Sequence, residues 1–262
     1  MPNVSRRTAI LAACAALIAA LLVVAAFAPL PVSIVYPGTT ANVLGSYKGA
    51  PVITISGAPV RRTTGELRMV TVEATAPNAS VHFSDVWHAW WNKDVAAMPR
   101  DAVYPSGGSV KDAAKVNRRE MLQSQQAATA AALKQLGLSP SQVKVSLQLG
   151  DVGGPSAGLL FTLGIIDKID GDGHGGDLTG GRTIAGTGTI DASGNVGAVG
   201  GVPLKELAAR RDGATVFLVP RDECSDAKAQ LPSGLRLVPV RTLDGALSAL
   251  SALRAGKQTP TC

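Results

Sequence analysis

Residues 9–28 carry no charged side chain and are rich in Ala, Leu, Val and Ile. In lipid such a run has one stable form, an α-helix, because only a helix satisfies its own backbone polar groups. Its length matches the roughly 20 residues that cross a hydrocarbon core. Arg6 and Arg7 precede it, and no charged residue follows until Lys48. By the positive-inside rule, residues 1–8 stay cytoplasmic, 9–30 form a single-pass signal anchor in the cell membrane, and the rest is exported. A cleaved signal peptide competes, since Ala26-Phe27-Ala28 has the Ala-x-Ala form of a cleavage site. The apolar run exceeds the usual signal core, which favours the uncleaved anchor. Ser5-Arg6-Arg7 hints at a twin-arginine signal but lacks the following large apolar residue, Ala9 standing near its place. Leu11-Ala-Ala-Cys14 mimics a lipoprotein site, yet the long apolar run beyond it makes Cys14 part of the span.

Beyond the anchor, the chain of 262 residues leaves enough length for one large domain or two small ones. The net charge of +6 is scattered, and no basic stripe with interleaved aromatics appears, so nucleic acid is not an expected partner. Apart from Cys14, two cysteines remain, Cys224 and Cys262, an even number suited to an oxidising compartment. They are a candidate disulfide that would tie the polar tail, residues 257–262, to the domain.

Periodicity places strands at 67–74 and 143–149, with a long helix over 112–136 ended by Gly137-Leu-Ser-Pro140. An apolar helix over 157–167 follows, then a strand near 182–190 and a turn at Ser193-Gly-Asn195. Next come a helix around Lys205, a strand over 215–219, a short helix from Asp222, a strand over 235–240 and a last helix over 243–253. These elements make an α+β domain. Residues 31–64 are read as a juxtamembrane segment and 65–256 as one domain.

The chemistry centres on Gly154-Pro-Ser-Ala-Gly158. Ser156 falls where a strand gives way to a buried helix, beside free N–H groups and the positive end of the helix dipole. Donors placed there, around Gly154, Pro155 and Ala157, suit an oxyanion formed in acyl transfer. A serine at this point serves equally as a helix cap. The Gly-x-Ser-x-Gly pattern also fits the nucleophile elbow of α/β-hydrolases, which need a histidine later in the chain. His174 is the sole histidine after Ser156, and too near it; His82 and His88 precede it. A lysine is the remaining base, and it works at neutral pH only if burial or positive charge lowers its pKa. Lys205 borders the apolar stripe of Leu204, Leu207 and Ala208; a solvated surface lysine is the plain alternative. Ser225-Asp-Ala-Lys228 matches the Ser-x-x-Lys of penicillin-recognising enzymes, but their Lys-Thr-Gly and Ser-Asp-Asn are absent.

Gly154-Pro-Ser-Ala-Gly158, Thr187-Gly-Thr-Ile190, Gly200-Gly-Val-Pro-Leu-Lys205 and Ala214-Thr-Val-Phe-Leu-Val-Pro220 occur in this order. Together they resemble the proteolytic domain of Lon-type serine peptidases, over about 143–255 and more weakly from Gly65. The resemblance implies a Lon proteolytic fold (ribosomal protein S5 domain 2-like) preceded by one transmembrane helix. It makes Ser156 the nucleophile and Lys205 its base, with Thr187 orienting the lysine amine. Thr189 stands where the family has glutamate, and Gly153 where Lon proteins usually carry an acidic residue. The implied activity is a Ser/Lys endopeptidase without cofactor or metal, acting on unfolded or flexible polypeptides. The alternative is an inactive relative kept as a binding scaffold, or an esterase or amidase using the same dyad. Related domains form rings, so a homo-oligomer is expected. No Walker A sequence occurs, and no upstream stretch has room for a PDZ module, so neither ATP-driven unfolding nor a PDZ domain is expected of this chain.

Two further clusters are weighed. Trp87, Trp90 and Trp91 are all the tryptophan present. They are read first as core packing and second as a surface for peptide side chains or the membrane interface. Asp170-Gly-Asp-Gly-His-Gly-Gly-Asp177 has calcium-like spacing but lacks the closing glutamate of an EF-hand, so it is read as a solvated turn.

Overall fold

The computed structural model describes residues 6–104, 109–149 and 154–262. Along the chain run α1 (Arg6–Phe27), β1 (Val32–Asn42), β2 (Ser46–Tyr47), β3 (Ala50–Pro51), β4 (Ile53–Ser56) and β5 (Glu66–Ala74). Next come α2 (Phe83–Trp91), β6 (Ala96–Pro99), α3 (Arg100–Val103), α4 (Val110–Gln135), β7 (Lys144–Leu147) and α5 (Gly158–Ile169). The last third holds β8 (Thr183–Gly186), β9 (Thr189–Ile190), β10 (Val196–Gly197), α6 (Val202–Arg211), β11 (Val216–Pro220), α7 (Cys224–Ala229), β12 (Arg236–Val240) and α8 (Leu243–Arg254). The chain divides into two compact units: residues 1–36 with 74–110, and residues 37–73 with 111–262.

The smaller unit contains α1, a 22-residue helix long and apolar enough to cross a membrane, none of whose side chains is buried. At about 1.5 Å per residue it reaches the thickness of a hydrocarbon core. The first residues of β1 pair antiparallel with β6, from Val32 opposite Pro99 to Val35 opposite Ala96. Ile34, Val81 and Ala89 form the small core of this unit. The expectation that the tryptophans pack inside is overturned. On α2 only Ala89 is buried, with Val86 half-buried beside it, and all three indoles face outward. A face of one buried alanine and one half-buried valine is too narrow for rings that large.

The larger unit is of the mixed α/β kind. Its sheet runs β12–β11–β8–β5–β1, with β5, β8, β11 and β12 mutually parallel. Parallel neighbours need crossovers, and α6 precedes β11 while α7 links β11 to β12. Residues 31–64, given no regular element from the sequence, hold β1 to β4, and β4 pairs antiparallel with β7. The strand expected near 182–190 is two strands, divided at Gly188, whose φ of 149° breaks the ladder. The main core is built on α5, where Leu159, Leu160, Phe161, Leu163 and Ile165 are wholly buried. Apolarity all round makes this helix a central element rather than a surface one. Gly164 permits its close approach to the layer below, since a Cβ there would lie 2.7 Å from Ile53 Cδ1 and 2.9 Å from Val43 Cγ2. Gly164→Ala is therefore expected to destabilise the fold by about 1–3 kcal/mol through overpacking. Chemical denaturation checks this; a neutral or stabilised variant would show that the contact is slack.

The Asp170–Asp177 loop is held by protein groups. Asp172 pairs with Arg254 and accepts from the N–H groups of His174 and Gly176 at 2.8 Å each. Asp177 accepts from Thr64 N–H at 2.8 Å and lies 3.5 Å from Arg61. With these carboxylates committed to Arg61, Arg254 and backbone donors, the loop is internally braced. The Ser193–Asn195 turn is closed by Asp191, which accepts from Ser193 N–H at 2.8 Å and Asn195 N–H at 2.9 Å. Cys224 and Cys262 form a disulfide with Cα atoms 5.2 Å apart, joining the start of α7 to the C-terminal tail.

Candidate active site

Three stretches of the larger unit converge on Ser156. The first is the tight entry to α5. Gly154 adopts φ 109°, a conformation that requires glycine, and Pro155 opens a single 3₁₀ turn, Pro155–Ala157. The residue at the cap position of α5 is Ala157, and no side chain caps either helix. The Ser156 hydroxyl is thus left unused by the helix start, unlike an N-cap serine. The helix α4 pins this turn from outside, Ser124 Oγ donating to Pro155 O at 3.0 Å. Gly158 makes room for it, as a Cβ there would meet both Ser124 Oγ and Ile190 N at 3.1 Å. Gly153 lies outside the described residues.

The second stretch follows β8. Thr187 is wholly buried, its N–H bonded to Leu218 O at 3.0 Å. Its hydroxyl donates to Ser156 O at 3.3 Å, and the same carbonyl accepts from Gly188 N–H at 2.9 Å. Two donors on one carbonyl fix the backbone that carries the serine. Thr189, at the family's glutamate position, starts β9, where it pairs with Gly197 of β10.

The third stretch is α6. Gly201 turns the chain into the helix with φ 70°, and a Cβ there would lie 3.0 Å from Val72 of β5. Lys205 is 3% exposed, and its Nζ donates to Thr187 Oγ1 at 3.2 Å. Burial drops this ammonium from the ordinary lysine range to about 8, against the opposing pull of the Glu223 carboxylate. The path at the site therefore runs from Lys205 through Thr187 to the Ser156 carbonyl. No hydrogen bond among the described residues joins Lys205 directly to Ser156 Oγ. In resting sites such contacts are often long and tighten when substrate binds.

Sequence periodicity missed two buried polar residues on the elements that carry the site. The α6 helix is buried on more sides than the stripe of Leu204, Leu207 and Ala208 implies: Leu207 is half-buried, whereas Glu206 is wholly buried. Neither carboxylate oxygen of Glu206 has a partner among the described residues, and burial pushes its pKa up to about 8, so it is carried as a neutral acid at pH 7. Ser124 is the other; its spacing from Met121 and Ala128 on α4 marks the helix's buried stripe, but nothing marks it as a bond to the serine turn.

A cleft of about 900 Å³ lies in the same unit, lined by Thr71, Val72, Arg118, Met121, Leu147 and Leu149 among others; its described lining does not include Ser156, Thr187 or Lys205. Its size lies at the upper end of small-molecule sites, about 300–1,000 Å³. Val72 both lines the cleft and abuts Gly201.

The Thr187 link makes a direct forecast. Thr187→Val keeps the volume but removes the acceptor for Lys205 and the donor to Ser156. It is expected to lower kcat by about 10- to 100-fold with KM little changed, as small misplacements of reacting groups do. Thr187→Ser should retain most of the rate; steady-state kinetics of both variants would sink the idea if Val matched wild type.

Residues 107–252 match the family model for the Lon protease (S16) C-terminal proteolytic domain. The chain is 35% identical over 98 residues to Lon protease from Azospirillum brasilense and 33% identical over 97 residues to that of Chloroflexus aggregans. It is 34% identical over 105 residues to Lon protease 1 from Sorangium cellulosum. These matches span 36%, 36% and 39% of this chain, but only 11%, 11% and 12% of the respective relatives. Such kinship points to a serine peptidase. Because the family match takes in the Ser156 turn, the Thr187 strand end and the α6 helix alike, the chain belongs to the Lon protease (S16) C-terminal proteolytic domain family.

Proposed function

We propose that this chain is a membrane-anchored endopeptidase that cuts peptide bonds with a Ser156/Lys205 dyad. The observation that carries the reading is a buried lysine, lowered to about 8, hydrogen-bonded to a threonine that also holds the Ser156 carbonyl. A buried lysine without catalytic use is a costly feature to retain.

In the proposed cycle, neutral Lys205 takes the Ser156 proton as Oγ attacks the substrate carbonyl. The N–H groups around the Pro155–Ala157 turn receive the oxyanion. Protonated Lys205 then gives its proton to the leaving amine, and water, deprotonated by the same lysine, resolves the acyl-enzyme. Thr187 holds the amine in place throughout.

The α1 helix would anchor the chain with Arg6 and Arg7 on the cytoplasmic side, and the Cys224–Cys262 disulfide agrees with export to an oxidising compartment. Substrates would be unfolded or membrane-proximal polypeptides. Cleavage without nucleotide is part of this proposal. Assembly into a homo-oligomer would follow the ring-forming habit of related domains.

A catalytically inactive scaffold is the second reading, favoured by the Lys205 amine's bond to Thr187 rather than to the Ser156 hydroxyl. The deciding test is turnover of unfolded casein by the full chain in lipid nanodiscs, with and without ATP. Nucleotide-independent cleavage that disappears in Ser156→Ala supports the dyad. Cleavage that survives in Ser156→Ala refutes it, and a wild type inert toward a panel of unfolded proteins favours the scaffold.

A further inference from the structure

The α2 helix is apolar on two faces, and only one of them is used inside the protein. Val86 and Ala89 turn toward the core of Ile34 and Val81. On the other side Phe83, Trp87, Trp90 and Trp91 are 51%, 56%, 80% and 71% exposed. Their spacing of four, seven and eight residues puts them on one helical stripe. Trp87 joins two of its neighbours by ring contacts, with centroids 6.1 Å apart for Phe83–Trp87 and 5.9 Å for Trp87–Trp91. Four large apolar side chains gathered on an open surface mark a place where something docks.

The covalent and hydrogen-bonded surroundings say what. Phe27 ends α1, and three residues later Leu30 N–H donates to Val81 O at 2.7 Å, two residues before α2 begins. Arg100 clamps the same junction, its Nη2 donating to the carbonyls of Ala79 at 2.7 Å, Val32 at 3.2 Å and Leu30 at 3.4 Å. The α1 and α2 helices approach within 8 Å between Cα atoms. All these residues belong to the smaller unit. The aromatic stripe is thereby fixed at the height where the apolar helix ends. In a bilayer that height is the headgroup region, where Trp rings bury their apolar body and hydrogen-bond through the indole N–H.

We propose that α2 is an interfacial helix whose Phe83, Trp87, Trp90 and Trp91 stripe seats among the headgroups of the bilayer crossed by α1. The proposal rests on the anchor reading of α1 above. It gives the smaller unit two attachments to one membrane, the span and a parallel-lying aromatic face, so that this unit cannot swing freely about the end of α1.

The chain supplies its own probe, since its three tryptophans all lie in this stripe. The full chain is placed in phosphatidylcholine nanodiscs, and emission is compared between ordinary lipid and lipid brominated near the top of the acyl chains. Loss of most of the emission in brominated lipid, with resistance to aqueous iodide, is the expected result. In Trp87→Ser/Trp91→Ser, with Trp90 kept as reporter, bromolipid quenching should fall, whereas Trp87→Phe/Trp91→Phe should preserve it. Full iodide quenching without bromolipid quenching, in chains that resist alkaline carbonate extraction from vesicles, would overturn the proposal and leave the anchor standing. Release by carbonate would overturn the anchor and the proposal together. Protection from iodide by unfolded casein, with no response to bromolipid, would assign the stripe to polypeptide binding instead.

Discussion

Ser156→Ala is expected to abolish casein cleavage by about 10⁶-fold and Lys205→Met by about 10⁴-fold or more, each in a folded protein. The proposed nucleophile has no evident substitute at the Ser156 turn, where Ser124 Oγ is occupied with Pro155 O. The base has none either, since Lys205 is the buried amine bonded to Thr187. Lys205→Arg should be as inactive as Met, because a guanidinium stays protonated at any working pH. In the proposed dyad, only the neutral amine could accept the Ser156 proton. Wild-type kcat/KM should therefore rise about tenfold per pH unit below the Lys205 pKa and level off above about 8. A profile from pH 6 to pH 10, with folding followed by circular dichroism, checks both claims. A flat profile between pH 6 and pH 9, or activity in Lys205→Met, would remove the lysine from the chemistry.

The same lysine should make the protein less stable than its inactive variant. At pH 7 the amine is protonated in both folded and unfolded chains, and the folded chain bears the full cost of burying the charge. A fall from the ordinary 10.5 to about 8 corresponds to a cost on the order of 3 kcal/mol. Lys205→Met is thus expected to raise stability at pH 7 by up to about that amount. The pH dependence follows from the sign of the shift. Between pH 8 and pH 10.5 the unfolded chain holds a proton that the folded chain has released, so wild-type stability rises with pH across this window. Below pH 8 the cost is constant, and above 10.5 it vanishes. Comparing urea unfolding of wild type and Lys205→Met at pH 7 and pH 10 tests this directly. The gap between them should narrow as pH rises. Glu206 contributes the opposite slope at lower pH, because its acid is raised from 4.5 to about 8, and this term is common to both proteins. A wild type as stable as Lys205→Met at pH 7 would mean that the amine is hydrated in solution. Such a lysine would also be a poor base.

Much of the larger unit was legible in the chain. Strict alternation marked 143–149, all-round apolarity marked α5, and Gly-Gly before a helical stripe marked α6, because each pattern reflects a local period of 2 or 3.6. Other parts were not. The strands β1 to β4 are short or lie in stretches interrupted by glycine and proline, and their identity depends on partners far along the chain, as β4 depends on β7. Aromatic residues likewise carry no label for inside or outside: hydrophobicity alone placed the tryptophans in a core that α2 is too narrow to hold.

The site divides along the same line. From the sequence alone came the apolar N-terminal segment, the serine in its small-residue turn and the candidate lysine, since residue type and order specify what chemistry is available; Thr187 came only through the resemblance to Lon-type peptidases. Only tertiary structure decided that Ser156 is not spent as a cap, that Lys205 is buried against Thr187, that Glu206 lies buried without a partner among the described residues, and that the indoles remain outside. Desolvation and hydrogen bonding depend on what the rest of the chain brings alongside a group, and that is fixed when distant segments pack.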